Sequence, residues 1–442
     1  MPSVHAIDRC RQWSPQRLKT VLHHTTQTKG STMKKRILIA LGAVVTLSLA
    51  ACSAGGSTTS TGSYPKTITI GSIHPLTGGL AGAGGLMDAG AKLAVADINK
   101  AGGIKSMGGA KLKIDDGDSQ GKADVGQSEA KRLIGDGAVA LVGTYQSDVT
   151  QNVAAVAERS KVPLVIDVAV DDSILNQGYK YTFRIQPNAT GMGTSGADSL
   201  LAMGAATGTP VKKVAYLHIE GSFGGSVFAA FKKEAVAKGI DVAKEVTYPA
   251  TNFTDATSAV TEALSVNPDV IIVTGYYPDN LLIAKAIKAI SPNIKGMMGV
   301  ASGAFDDDSF PAAAGDAGTN VLSANYHYAA TDAKATDIRT RFKATTGKDM
   351  ETSAMLSYEA VDVIAAALEK GKSADPAKLR DAISNISVSN PLLAFDGPIA
   401  FDSTGQNKNA TVIVMQVQNG KVEQVFPKKF AQKDVILPAF GK

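Results

Sequence analysis

Ser147 stands where a strand pattern gives way to a helix pattern. The apolar run Ala138 to Val142 reads as a strand, and helical spacing begins near Ser147. Free backbone N–H groups in a first helical turn, with the positive end of the helix dipole, favour an anion. A serine hydroxyl there has two uses: it donates to a carboxylate, or it caps the helix. Other combinations fail on spacing. Gly82-Ala-Gly84-Gly-Leu-Met87 lacks the third glycine of a dinucleotide loop, and about a dozen residues part its strand from its helix. Asp116-x-Asp118-x-Gln120-Gly121 imitates a calcium loop, but Gln127 stands where glutamate closes such a loop, so capping of the following helix is favoured. Asp306-Asp-Asp308 reads as a solvated turn, because no histidine accompanies it. His74, His218 and His327 have no ligand spacing, and no Gly-x-Ser-x-Gly elbow occurs. With no nucleophile–base pair and no cofactor loop, the chain reads as a binding protein without cofactor or metal.

The elements that must position Ser147 alternate in type. Thr67 to Gly71 is a β-branched run, followed by a Gly-rich loop and a helix through Ala91 to Asn99, which Gly102-Gly103 stops. Leu112 to Ile114, a helix around Ala130 to Ile134, the Ala138 strand, a helix from about Asp148 to Arg159, and Pro163 to Ile166 continue the rhythm. It restarts after Pro187-Asn188 with strands at Lys213 to Leu217, Val242 to Thr247 and Val270 to Val273. Helices are expected at Ser226 to Ala237, near Ala256 to Leu264, and at Leu281 to Ile290. A helical stretch, Met355 to Glu369, then precedes two runs that read as strands, Phe395 to Phe401 and Thr411 to Val417. Such alternation implies parallel sheets covered on both faces. Two units imply two lobes, with a cleft where the carboxyl ends of their strands meet.

The N-terminal region is of another kind. Met33-Lys-Lys-Arg, the apolar run Ile37 to Leu49 and Ala50-Ala51-Cys52 have the order of a secretory signal peptide. The run is shorter than the ~20 apolar residues of a membrane span. Leu49-Ala-Ala-Cys52 resembles a bacterial lipoprotein box, which implies lipidation of Cys52 as the mature N-terminus. Residues 1–32 then read as an upstream mistranslation, 33–51 as the signal peptide and 52–65 as a flexible tether rich in Gly, Ser and Thr. Without residues 1–51, which carry eight Lys and Arg and one Asp, the formal charge falls from +5 to −2. The basic balance of the full chain is therefore no argument for nucleic acid. Trp13, the single Trp, and Cys10 go with that segment, so the mature chain has no cysteine pair for a disulfide.

Ile70-Gly-Ser-Ile-His-Pro-Leu-Thr-Gly78, Gly90-Ala-Lys-Leu-Ala94, Asp97-Ile-Asn99, Gly102-Gly-Ile104 and Asp115-Asp116 resemble type I periplasmic solute-binding proteins, in the branched-chain amino-acid-binding group of ABC transporters. Val142 to Thr150, Tyr181-Thr-Phe-Arg184, Gly275-Tyr-Tyr-Pro278 and Ser357 to Val361 extend the resemblance across about residues 66 to 425. It implies an α/β fold of two lobes, each a parallel sheet flanked by helices, with three hinge crossovers. Lobe I is expected at 66–188 plus 327–403, and lobe II at 189–326 plus 404–442.

The same resemblance implies a pocket. Tyr145 lies in the ligand loop, Ser147 matches the carboxylate-binding serine, and Ala169 matches the position whose backbone meets the ligand. Phe223 replaces a tyrosine of the amino-acid binders, while Tyr276 and Tyr277 fall where the ligand's polar end is contacted. The acidic partner of the ligand ammonium aligns with Ala301, and an aromatic position of the first loop with Ala83, which enlarges the pocket. Asp171 falls where relatives often have threonine. Either it supplies the lost ammonium partner, or Asp171 or Asp172 caps the helix beginning near Ser173. The expected role is a lipid-anchored, extracytoplasmic, monomeric receptor that delivers an amino acid or related small carboxylate to ABC permease and ATPase subunits. A sensory receptor of the same fold, signalling to a membrane partner, is the alternative.

Overall fold

The computed structural model describes residues 64–440; the expectations for Met33, the signal peptide and Cys52 lie outside the described residues. Five strands form one sheet: β1 Thr67–His74, β2 Lys111–Asp118, β3 Ala140–Gly143, β4 Leu164–Ile166 and β5 Thr182–Arg184, in the order β2-β1-β3-β4-β5. Every pairing is parallel, with Thr67 opposite Lys111 and Ile70 opposite Ala140. The second sheet has seven strands: β6 Lys213–Ile219, β7 Asp241–Tyr248, β8 Val270–Gly275, β9 Gly296–Ser302, β10 Leu322–Asn325, β11 Ile413–Gln418 and β12 Lys421–Phe426. Their order is β12-β11-β10-β9-β8-β6-β7. Here β11 and β12 are antiparallel, so an antiparallel edge joins an otherwise parallel sheet.

The cores follow from strand alternation. Leu141, Leu164 and Ile166 point to one face of the first sheet, beneath helices Ala123–Gly135 and Ser147–Ser160. Ala140, Val142 and Val165 point to the other, beneath the paired helices Ala81–Lys100 and Thr352–Gly371. All residues of β3, β4, β8 and β9 are buried, as expected of central strands covered on both faces. The chain leaves the first sheet after β5, builds β6 to β10, returns with helix Thr352–Gly371, and crosses again to add β11 and β12. This gives two lobes and three crossovers. No helix among the described residues is long and apolar enough to cross a membrane.

Two expectations are corrected. The Gly82-Ala-Gly84-Gly stretch is not a loop but the first turn of helix Ala81–Lys100. Of its glycines, Gly84 serves packing: a Cβ there would lie 2.1 Å from the carbonyl oxygen of Pro75. Phe395 to Phe401 forms no strand, only the isolated bridges Val388–Ile399 and Phe401–Asn407. Gly397-Pro398 at its centre supplies a bend and removes a ladder donor.

Candidate functional site

A cavity opens at the carboxyl ends of β3, β4, β8, β9 and β10, where loops of both lobes meet. It measures about 60 Å3. Tyr145, Ser147, Ala169, Phe223, Tyr276 and Ala301 all line it. Tyr145, which follows β3, meets Tyr276, which follows β8, at 5.1 Å between ring centroids, and Phe223 lies 5.3 Å from Tyr276. This aromatic row joins the lobes. Gly303 makes the approach possible, since a Cβ there would lie 3.1 Å from the Tyr145 hydroxyl and 3.2 Å from the Tyr276 Cα. Burial holds the phenols of Tyr145 and Tyr276 above the usual range, so both are neutral hydroxyls at physiological pH.

Ser147 is the first residue of its helix, and Gln146 occupies the N-cap position. The serine therefore does not cap. Its Oγ accepts the Asp171 N–H at 3.3 Å, which leaves the hydroxyl hydrogen free, and the side chain is 2 % exposed. The first bond of the helix runs from Thr150 N–H to Gln146 C=O at 3.0 Å. The earlier N–H groups are the unpaired donors of a first turn. Hydroxyl, N–H groups and helix dipole thus converge on one wall, an arrangement suited to a carboxylate.

Asp171 is placed differently from the ligand-contact reading. Its carboxylate is absent from the cavity wall and is filled by protein donors: Ser173 N–H at 3.1 Å, Ser173 Oγ at 2.7 Å and Gln151 Nε2 at 2.6 Å. These bonds occupy both carboxylate oxygens, while the N-cap position of helix Ser173–Asn176 is Asp172, which makes no side-chain cap bond. Buried Arg184 fixes the same segment, donating to the Asp171 carbonyl at 2.8 Å and to Gln406 Oε1 at 2.8 Å, while burial lowers its pKa to about 10. The landmark arginine is a brace for the cleft wall. Ala169 lines the cavity, but its backbone is partnered inside the protein: its N–H donates to Thr144 C=O at 3.3 Å and its C=O accepts Gln186 Nε2 at 2.8 Å.

Tyr277 lines an adjoining chamber of about 450 Å3, with its hydroxyl 3.0 Å from Ser309 Oγ. Ala83 lies in that chamber with Leu80 and Leu86. Tyr145, Gly303, Asp307 and Glu351 line both spaces and form the waist between them.

The acidic wall was not foreseen. Asp306 and Asp307 do not form a solvated turn: the segment after β9 folds inward and both are buried against the cavity. Asp306 accepts from Ser323 Oγ at 2.8 Å and Asn325 Nδ2 at 3.2 Å, and burial outweighs these bonds to raise its pKa to about 7. Asp307 accepts from Ser309 N–H at 2.6 Å. Glu351, immediately before helix Thr352–Gly371, is raised to about 9, first by burial and then by the charge and hydrogen bond of Asp307. No local sequence signal marked Asp306 and Asp307, because β9, Gly296–Ser302, lacks the β-branched run that would place the acids at the end of a strand. Asp308 pairs outside the cavity with Arg339.

A Ser–His–Asp chain also exists, with His74 Nδ1 3.1 Å from Ser72 Oγ and His74 Nε2 2.8 Å from Asp167 Oδ2. All three residues are fully buried, and the Ser72 hydroxyl donates to Asp88 at 3.0 Å, not to the histidine. Its bonds tie β1 to β4, and Ser357 completes the tie by donating to Asp167 at 2.6 Å.

A model of the family described as "Periplasmic binding protein" matches residues 67–421. The chain belongs to that family. Leu/Ile/Val-binding protein homolog 8 of Brucella abortus is 29% identical over 375 residues, covering 82% of this chain and 91% of that one. Among solved structures, the branched-chain amino-acid transporter substrate-binding protein LivJ of Streptococcus pneumoniae, in complex with isoleucine, has a TM-score of 0.68 at 24% identity. It covers 82% of this chain and all of that one. The solute-binding protein of R. palustris in complex with benzoate has a TM-score of 0.71 at 20% identity, with 81% and 95% coverage. Both share the two-lobed fold. Within the family the resemblance is to proteins described as a Leu/Ile/Val-binding protein homolog and a branched-chain amino-acid transporter substrate-binding protein.

Proposed function

We propose that this chain is the extracytoplasmic solute receptor of an ABC importer, anchored through lipid on Cys52, and that it binds an amino acid or related small carboxylate between its lobes. Lobe I comprises 66–188 and 327–403, and lobe II 189–326 and 404–442. The observation that carries the reading is the Ser147 wall: an unpartnered hydroxyl hydrogen at a helix N-terminus, facing a cavity between two lobes. Nothing on that wall competes for an anion's oxygens. Tyr145, Phe223, Tyr276 and Ala301 enclose the body of the solute. The isoleucine-bound and benzoate-bound neighbours both carry a carboxylate, the one group this wall selects.

Isothermal titration with the twenty amino acids and with benzoate tests the reading. One-to-one binding of at least one of them, with no conversion of the bound compound, is expected. Small-angle scattering at saturation should show a smaller radius of gyration, because ligand favours the closed cleft by its differential affinity. Absence of binding across the panel, or turnover of a bound compound, contradicts it. Cys52→Ser tests the anchor and should release the protein from the membrane fraction, since stable attachment rests on acyl chains.

A further inference from the structure

The solute-binding reading leaves the cationic end of an amino acid without a partner, because Ala301 carries no acid and the Asp171 carboxylate is occupied by Ser173 and Gln151. The structure offers another. Asp307 follows β9 of the second sheet, and Glu351 precedes the helix that covers the first. Both line the cavity and the waist, and the charge of Asp307 adds to burial in holding a proton on the Glu351 carboxyl. Two facing carboxylates repel, so this pair needs a shared proton. The same cavity holds the free Ser147 hydroxyl, 2 % exposed and outside the waist that the acids line, which fixes where a ligand's anionic end goes.

We propose that Asp307 and Glu351, one from each lobe, form a clamp closed by a shared proton in the empty cleft and by the solute's cationic nitrogen in the loaded one. The ammonium enters with its own charge, the proton leaves Glu351 for the buffer, and the carboxylate left behind pairs with the ammonium. Charge within the clamp is conserved in that exchange, and the solute's carboxylate is carried by the Ser147 wall. A plain carboxylate such as benzoate brings no cation and displaces no proton. The clamp therefore selects zwitterions over the aromatic acids that the same fold accommodates elsewhere.

The groups facing the pair set its proton affinity. Asp306 adds a third acid from the β9–β10 segment. Tyr145, Tyr276 and Tyr326 surround it as neutral phenols, each raised by burial. Tyr277, Asp349 and Lys348 lie on the outer side, where the lysine opposes the acids. Burial and acid neighbours outweigh Lys348 and hold the Glu351 proton to about pH 9. Affinity for a zwitterion should therefore rise with pH through the neutral range, by at most tenfold per pH unit for one released proton.

Calorimetry at pH 7 on the mature protein, in phosphate and in Tris, measures the exchange through the buffers' different protonation enthalpies. The tightest-binding amino acid should release close to one proton and benzoate none. Glu351→Gln, after circular dichroism confirms its fold, should abolish the release and weaken the amino acid at least tenfold relative to benzoate. Amino-acid binding without proton release in the wild-type protein overturns the clamp, as does a Glu351→Gln variant with unchanged selectivity. Binding of benzoate alone overturns the clamp and leaves the solute-receptor reading intact. Binding of neither overturns both.

Discussion

Ser147→Ala removes two bonds at once, and they are read by different assays. The hydroxyl hydrogen is the donor offered to a solute carboxylate, and the oxygen is the acceptor of the Asp171 N–H. A hydrogen bond to a charged group contributes about 1.5–3 kcal/mol, and each 1.4 kcal/mol is tenfold in affinity. Complete loss of that bond would weaken binding about tenfold to about a hundredfold. The first-turn N–H groups of helix Ser147–Ser160 share the carboxylate, so the result should fall near the lower end. Stability falls separately, because the Asp171 N–H loses its acceptor in a buried setting. That bond is long, at 3.3 Å, so the loss should be about 1 kcal/mol, at the bottom of the range for an unsatisfied buried group. Titration calorimetry reads the first effect and denaturant unfolding without solute reads the second. A variant that binds amino acids or carboxylates as tightly as the wild type would refute the reasoning, because the wall would then not be the carboxylate site.

Asp171→Asn should do the reverse: lose about 1–3 kcal/mol of stability through its bonds to Ser173 and Gln151, with solute affinity changed less than about threefold. Urea unfolding beside calorimetry checks it. Without solute, the melting temperature should fall as pH rises from about 6.5 to about 9. Glu351, Glu359 and Asp306 keep protons to about 9, 8 and 7 in the folded state, whereas the unfolded chain gives them up near 4–4.5. A melting temperature flat or rising across that window contradicts the assignment. Ala83→Trp, filling the chamber beside Leu80 and Leu86, should cut affinity for tryptophan at least tenfold more than affinity for alanine in paired titrations. An unchanged ratio would show that solutes stop at the waist.

How much of this was legible depended on how local each signal was. β8, Val270–Gly275, begins with an uninterrupted β-branched run and was plain in the sequence. β9, Gly296–Ser302, reads Gly-Met-Met-Gly-Val-Ala-Ser and has no such run; only its neighbours β8 and β10 make it a strand. Ser147 was legible because the strand-to-helix change lies within a few residues of it. Glu351 was not, since its partner is Asp307, brought to it by a chain that crosses between lobes. The Asp306 run was read as solvated because acids usually are, yet Ser309, Ser323 and Asn325 supply the donors that let it stay buried. Asp171 left two uses open, and its carboxylate is instead occupied by Ser173 and by Gln151, which only the tertiary fold brings near.

The most direct test of a carboxylate receptor is a thermal-shift screen of the mature protein against amino acids, plain carboxylates, and the amides and alcohols that lack the acid group. Ligand at a hundred times its Kd adds about 2.7 kcal/mol of stability, a shift that such a screen resolves. The expected hits all carry a carboxylate, and the same compounds fail or weaken once the carboxylate is amidated. Shifts by the amides equal to those of the acids, or no shift by any carboxylate, would contradict the account.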